Sequence, residues 1–322
     1  MIDVAIGRQR GVAALFLILV LLPLAARFGA ESYILSVATR VVVIAIAALS
    51  LDLILGFGAL VSFGHAAFLG LGAYAVGILS THGITDIFLQ AAAALIAAAV
   101  FALATGALSL RTKGVYYIMI SLAFGQMLYF LAVSLSAYGG DDGITLAKRS
   151  TIVGFDLLKS NSVFYYAALA VLAAAYLFTH ALVGSRFGRV LIGTRENPER
   201  MRAIGFEPFR YQLIAYLISG MICALAGVLL ANQAEFVSPA YMTWQRSGEL
   251  LVMVILGGIG TLYGAILGAT AYLLLEDGLS HYTEHWKMIF GPMLILVVLF
   301  GRGGIAGALR RLATKRGEAG HG

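Results

Sequence analysis

Long apolar runs recur along the chain, separated by short polar or glycine-rich breaks. Runs long enough to cross a bilayer lie at about 11–26, 34–55, 88–110, 114–136, 163–183 and 211–232, given that a helical span needs about 20 apolar residues. Their periodicity is helical or continuous, with no series of alternating ten-residue strands, which argues against a β-barrel. The pattern predicts an all-α polytopic membrane protein. Residues 11–26 follow Arg8 and Arg10 like a signal peptide, but no small-x-small cleavage site comes after them, so they read as a first, uncleaved span.

Two stretches do not fit a simple series of spans. Residues 56–80 open with GFGALVSFG and continue apolar to Ser80. As a helix, His65–Ser80 would reach only ~24 Å against a hydrocarbon core of ~30 Å, so the glycine segment is expected to dip into the membrane. Residues 249–275 carry GGIGTLYG in their middle and are too long for one helix. They read as a re-entrant hairpin, and a last span is expected near 286–301.

Composition agrees with this pattern. The chain is 61% hydrophobic and 12% charged, with mean hydropathy +0.92, too little charge to cover a soluble domain of this length. The net charge of +6 reports topology here, and nucleic acid is set aside. With the hairpin, 15 Lys and Arg fall on the cytoplasmic side and six outside; a single span at 249–275 would nearly equalise the two sides. The positive-inside rule therefore predicts about eight transmembrane helices plus a re-entrant Gly-rich hairpin, both termini cytoplasmic. The chain forms one domain, 1–322, with a polar loop at 184–210, an outer loop at 137–162, the hairpin at 249–275 and a basic tail at 302–322.

Enzyme chemistry is not legible. No GxxxxGK[ST] loop, HExxH, CxxC or His/Cys cluster occurs. Gly258-Ile-Gly260 follows no strand, so it does not read as a dinucleotide loop. Asp141-Asp142-Gly143 lacks the alternating ligands of a calcium loop and reads as a solvated turn. Cys223, the single cysteine, reads as a small buried hydrophobe.

The glycine breaks carry more information. Gly260, Gly264 and Gly268 share a face if helical, and Ala66, Gly70, Ala73 and Gly77 form a similar stripe; both suit close helix packing. Non-helical backbone inside a membrane must be buried in protein or line a polar cavity. Interrupted helices also point to a transporter's substrate path. Packing and path-lining both stay open for Ser62, Gly64, His65, Ser121, Gln126, Gly257, Gly258, Gly260 and Thr261. Arg40 and Asp52, near opposite ends of one span, are expected to snorkel to the interfaces. Tyr116, Tyr117, Tyr129 and Trp286 read as interfacial anchors.

The loop 184–210 holds six of the 22 basic residues. Asn197-Pro198-Glu199 has the order of an N-cap, a first-turn proline and a first-turn acid, and Gly205 and Pro208 stop the helix, so Pro198–Ile204 is expected to be helical. A preceding helix is expected at about Arg186–Thr194. Met201 and Ile204 would share one apolar stripe flanked by Glu199, Arg200 and Arg202. Such a pair suits an anionic lipid surface or the groove of a soluble partner, and physical chemistry leaves both open.

The ordered set LDLILGFGALVSFGHAAFLGLGAY (51–74), GVYYIMISLAFGQMLYFLA (114–132), GGDDG (139–143), SRFGRVLIGTRENPERMRAIGF (185–206) and GGIGTLYGAILGA (257–269) resembles the LivM-type permease of branched-chain amino-acid ABC importers, over about residues 34–302. The resemblance implies a bacterial inner-membrane permease that is not itself an enzyme. It further implies a second, LivH-type permease, two cytoplasmic ATP-binding subunits that carry ATP and Mg, and a periplasmic substrate-binding protein. By the same resemblance Arg195–Gly205 is the ATPase-coupling segment: Arg195, Glu196, Asn197, Pro198, Glu199, Met201, Arg202, Ile204 and Gly205. The match to the coupling-loop pattern of other importers is confined to Ala203 and Gly205. Asp52 stands where the family pattern has asparagine. Related permeases carry urea, amides or aromatic compounds, and the spans contain no readable specificity code. A stand-alone ion-coupled transporter would need paired intramembrane carboxylates, and only Asp52 and Glu249 qualify.

Overall fold

The computed structural model describes residues 11–12, 14–23, 31–281, 285, 288, 290–292 and 303–308. Most of the expected last span at 286–301, with Trp286, and most of the tail at 302–322 lie outside the described residues. The helices are α1 (Ala14–Pro23), α2 (Glu31–Gly58), α3 (Ala66–Thr81), α4 (Ile87–Ser109), α5 (Val115–Ser134), α6 (Asn161–Gly184), α7 (Arg186–Glu196), α8 (Pro198–Ala203), α9 (Pro208–Ala234), α10 (Trp244–Gly257) and α11 (Tyr263–Ser280). Among the described residues, five of them (α2, α4, α5, α6 and α9) are long and apolar enough to cross a membrane. α3, at 16 residues, is short for a span, as the spacing of 56–80 predicts.

The most apolar window of α2 is wholly buried inside the protein, whereas those of α4 and α5 are only 22% buried. So α2 is the interior helix, packed against α6, α7, α9, α10 and α11, and α4 and α5 present their apolar faces outward. α3 lies along α9 at close range, and two glycines permit it. A Cβ at Gly72 would run into the Ala224 carbonyl oxygen, and one at Gly227 into that of Leu69. The small stripe Ala66, Gly70, Ala73, Gly77 is buried along α3, with Gly70 under Met242 and Gly77 under Ile144 and Val237. Its contacts are mixed: Ala73 backs Gly227 of α9, whereas Gly70 and Gly77 take side chains from outside the long helices.

The stretch read as a hairpin is two helices that fold back on each other. Gly257 of α10 faces the Gly264 carbonyl of α11, and Met253 faces Gly268, an antiparallel register. The helices extend beyond the expected 249–275, starting at Trp244 and ending at Ser280. At their open ends, Glu276 pairs with Arg40 at 3.3 Å and Tyr33 Oη donates to Asp277 at 2.7 Å. Arg40 therefore does more than snorkel: it ties α2 to α11.

The all-α expectation omits one feature, a two-residue antiparallel ladder of β1 (Ile144–Thr145) and β2 (Phe236–Val237). The loop 137–162 is laid across the end of α9, where its backbone groups need partners. Ser150 donates its N–H to Asn232 Oδ1 (2.7 Å) and its hydroxyl to Gln90 Oε1 (2.5 Å), and Arg149 pairs with Glu235 at 3.1 Å. Asp86 accepts from Phe88 N and Leu89 N to cap α4, and from Val153 N to hold the loop.

Candidate functional site

Three elements meet at the Gly58 end of α2: the polar helix pair α7–α8, the non-helical segment 59–65, and the turn 258–262 between α10 and α11. The helix pair forms as its capping residues dictate. Ser185 Oγ accepts from Gly188 N (3.5 Å) to start α7, and Asn197 Oδ1 accepts from Arg200 N (3.0 Å) to start α8, with Pro198 in its first turn. Gly205, at φ +91°, ends it. Glu199 and Arg202 pair at 3.0 Å on the exposed face. Leu191 is fully buried and seats α7 beside Gly58.

Two expectations for this loop are corrected. α8 ends at Ala203, with Ile204 as its C-cap. Met201 does not share an exposed stripe with Ile204: it is buried, its thioether lying over Gly193, and pins α8 onto α7. Ile204, 62% exposed, is the apolar residue that α8 offers to a neighbour. Arg195, on the last turn of α7, points inward and donates from its guanidinium to the Gly56 carbonyl. Glu196 ends α7 exposed.

The first break lies against α5 and the middle of α2. Ser121 Oγ accepts from Phe63 N at 3.2 Å, and a Cβ at Gly64 would run into the Ser121 carbonyl oxygen. Gly125, one turn along α5, receives the Gly64 backbone on the same face. Gln126 is half-buried next to it. His65 is fully buried, its Nε2 at 2.9 Å from Ser50 Oγ. Because Ser50 donates its single proton to the Ala47 carbonyl (2.7 Å), His65 Nε2 carries the hydrogen. Ser219 Oγ donates to the Ser50 carbonyl at 2.5 Å, and Cys223 Sγ to that of His65 at 3.7 Å. Ser62 is also buried, and Tyr117, expected at an interface, is buried with it.

The second break is held by a carboxylate. Asp52, completely buried, accepts from Gly260 N through Oδ1 (2.7 Å) and from Leu262 N through Oδ2 (2.9 Å). Snorkelling is thereby corrected, because this side chain turns into the protein to bond the turn. Gly258, Gly260 and Leu262 all have positive φ, +114°, +73° and +51°. Leu262 is the strained one, since a branched side chain disfavours that region. Gly260 lies in the turn and so leaves the helical stripe expected of it; Gly264 and Gly268 keep theirs, against α10. Its backbone abuts Gly56, where a Cβ would collide with Gly260 and with Asp52. Thr261 Oγ1 donates to the Gly258 carbonyl at 2.6 Å, and Gly257 closes α10.

Ser50 and Asp52 are two residues apart, about 200° around a helix of 3.6 residues per turn. They therefore leave α2 on opposite faces, one toward each break. The expected path residues form two groups with α2 between them: Ser62, Gly64, His65, Ser121 and Gln126 on one side, Gly257, Gly258, Gly260 and Thr261 on the other. Sequence reasoning missed the parts of Ser50, Gly56, Ser219 and Asp52. In LDLILG, Asp52 and Gly56 stand four apart on one face, but nothing in the sequence names the turn they meet.

An interior helix flanked by two interruptions, with apolar helices outside, is the architecture of a multi-pass membrane protein. Residues 33–299 match the family described as branched-chain amino acid transport system / permease component, and the chain belongs to that family. It is 26% identical over 332 residues to the high-affinity branched-chain amino acid transport system permease protein LivM of Escherichia coli, covering 95% of this chain and 78% of that one. The LivM of Salmonella typhimurium is also 26% identical, over 88% of this chain and 72% of its own. The autoinducer 2 import system permease protein LsrC of Photorhabdus luminescens is 27% identical over 46% of each chain. No solved structure matches. The protein is thus a multi-pass inner-membrane permease of this transport family.

Proposed function

We propose that the chain is the permease subunit of an ATP-driven importer that carries leucine, isoleucine, valine or related amino acids from a periplasmic binding protein. The family match across 33–299, with LivM relatives over most of the chain, carries this reading. In it a second permease of the LivH type completes the path, and two cytoplasmic ATP-binding subunits, which hold ATP and Mg, dock on α7–α8. The capped pair, with Ile204 exposed, supports the docking role.

The reading includes a topology of about eight crossings plus a re-entrant pair, both termini cytoplasmic. The ties of the far end of α11 to Tyr33 and Arg40, with the turn at Asp52, support a hairpin that enters from outside and returns. Substrate would pass beside the two breaks, with Gln126 and the turn 257–261 closest to it. An ion-coupled carrier is disfavoured because both candidate carboxylates are engaged, Asp52 by two N–H groups and Glu249 by Arg246 at 2.6 Å.

A second substrate class has its own support. The fructose import permease protein FrcC of Rhizobium meliloti, 26% identical over 43% of this chain, and LsrC belong to import systems for other compounds. Ligand binding by the binding protein encoded beside this permease tests the choice. Leucine, isoleucine or valine as the tight ligand supports the first reading, and a sugar as the tight ligand replaces it.

A further inference from the structure

Burying a carboxylate inside a membrane helix is costly, and such residues usually mark function. Holding a turn does not require a carboxylate, because a backbone carbonyl or a neutral amide can accept an N–H. Asp52 nonetheless offers two acceptor oxygens to two amides of one turn, Gly260 and Leu262. Asparagine in its place would carry only one acceptor, and its NH2 would face the second N–H.

What lies next to this clamp gives it a use. Gly56, one helical turn from Asp52, touches the same turn through its bare Cα, and its carbonyl accepts from Arg195 of α7. Within one turn of α2, therefore, the docking loop grips one side through Arg195 and the hairpin turn is gripped on the other through Asp52. The turn itself is built from positive-φ residues, Leu262 among them, which persist only where surroundings enforce them. Such a turn follows its clamp, so a shift of α7 that carries the Gly56 end of α2 with it is felt at 258–262 without crossing the bundle.

We propose that Asp52 and Arg195 are positioning residues that link the α7–α8 docking loop to the α10–α11 turn, so that displacement of the loop by the ATP-binding subunits is delivered to the turn. This rests on the reading of α7–α8 as the ATPase-docking element. The Asp52–Gly56 turn of α2 is the shared mount.

The test uses the complete complex in proteoliposomes, with leucine uptake and ATP hydrolysis measured together. Wild type without ATP-dependent uptake would defeat the functional reading itself and is scored first. With wild type active, Asp52→Asn is expected to keep its ATP-binding subunits but to move at least fivefold less leucine per ATP hydrolysed. If Asp52→Asn does not accumulate, Arg195→Gln decides, since that residue sits at the protein surface: uptake per ATP is expected to fall at least threefold, with Arg195→Lys restoring most of it by donating again to Gly56. Unchanged uptake per ATP in the variants that accumulate would overturn the link. So would loss of the ATP-binding subunits from the Arg195→Gln complex, because Arg195 would then be a docking contact only.

Discussion

His65 and Ser50 meet at 2.9 Å in the fully buried centre of the protein, the imidazole N–H donating to a hydroxyl that itself donates to its own helix. This contact fixes where the chain re-enters a helix after the first break. Ser50→Ala leaves a buried N–H without an acceptor and is expected to destabilise the protein by about 1 kcal/mol. His65→Leu/Ser50→Ala is expected to cost less than the two single changes added together. A double-mutant cycle on thermal unfolding in detergent checks this; strict additivity would mean the contact does not form.

Close packing of α3 on α9 sets Gly227 apart from Gly278, which is exposed near the end of α11. At Gly227 a Cβ meets the Leu69 carbonyl, whereas at Gly278 it meets nothing within 4 Å. Gly227→Ala is expected to destabilise by about 1–3 kcal/mol, and Gly278→Ala to be neutral or to stabilise by up to about 1 kcal/mol. Unfolding temperatures of the two purified variants, compared with wild type, decide the matter.

Burial separates the roles of Met201 and Ile204. Ile204→Asp is expected to leave the permease folded while the ATP-binding subunits no longer co-purify. Met201→Asp buries a carboxylate over Gly193 and is expected to lower stability by about 2 kcal/mol or more, before docking is affected. Equal thermal stability of the two variants would contradict the assignment.

Topology is open to chemical labelling. Asp141 and Arg200 are both exposed. A cysteine at Asp141 is expected to react with an impermeant maleimide in intact spheroplasts, and one at Arg200 only after permeabilisation. Native Cys223 is buried and should stay silent in both.

Much of this architecture was readable from local rules. The caps of α8, the short α3 and the fold-back of α10 on α11 follow from Asn197, Gly205 and the glycine runs, because each depends on neighbours in sequence. The parts of Asp52, Arg195 and Met201 were not readable. Their partners, Gly260, Gly56 and Gly193, are set by packing between elements, which periodicity does not encode. Asp52 shows the limit well: near a helix end, a snorkelling carboxylate and an inward clamp have the same sequence, and only the position of the 258–262 turn separates them. The strand pair β1–β2 was missed because two-residue ladders carry no period.

The most direct test of the whole account is leucine uptake by the reconstituted permease complex with its binding protein outside and ATP inside the vesicles. Uptake is expected with ATP, and neither with a non-hydrolysable analogue nor with a sodium or proton gradient alone. Uptake driven by an ion gradient in the absence of ATP would contradict it.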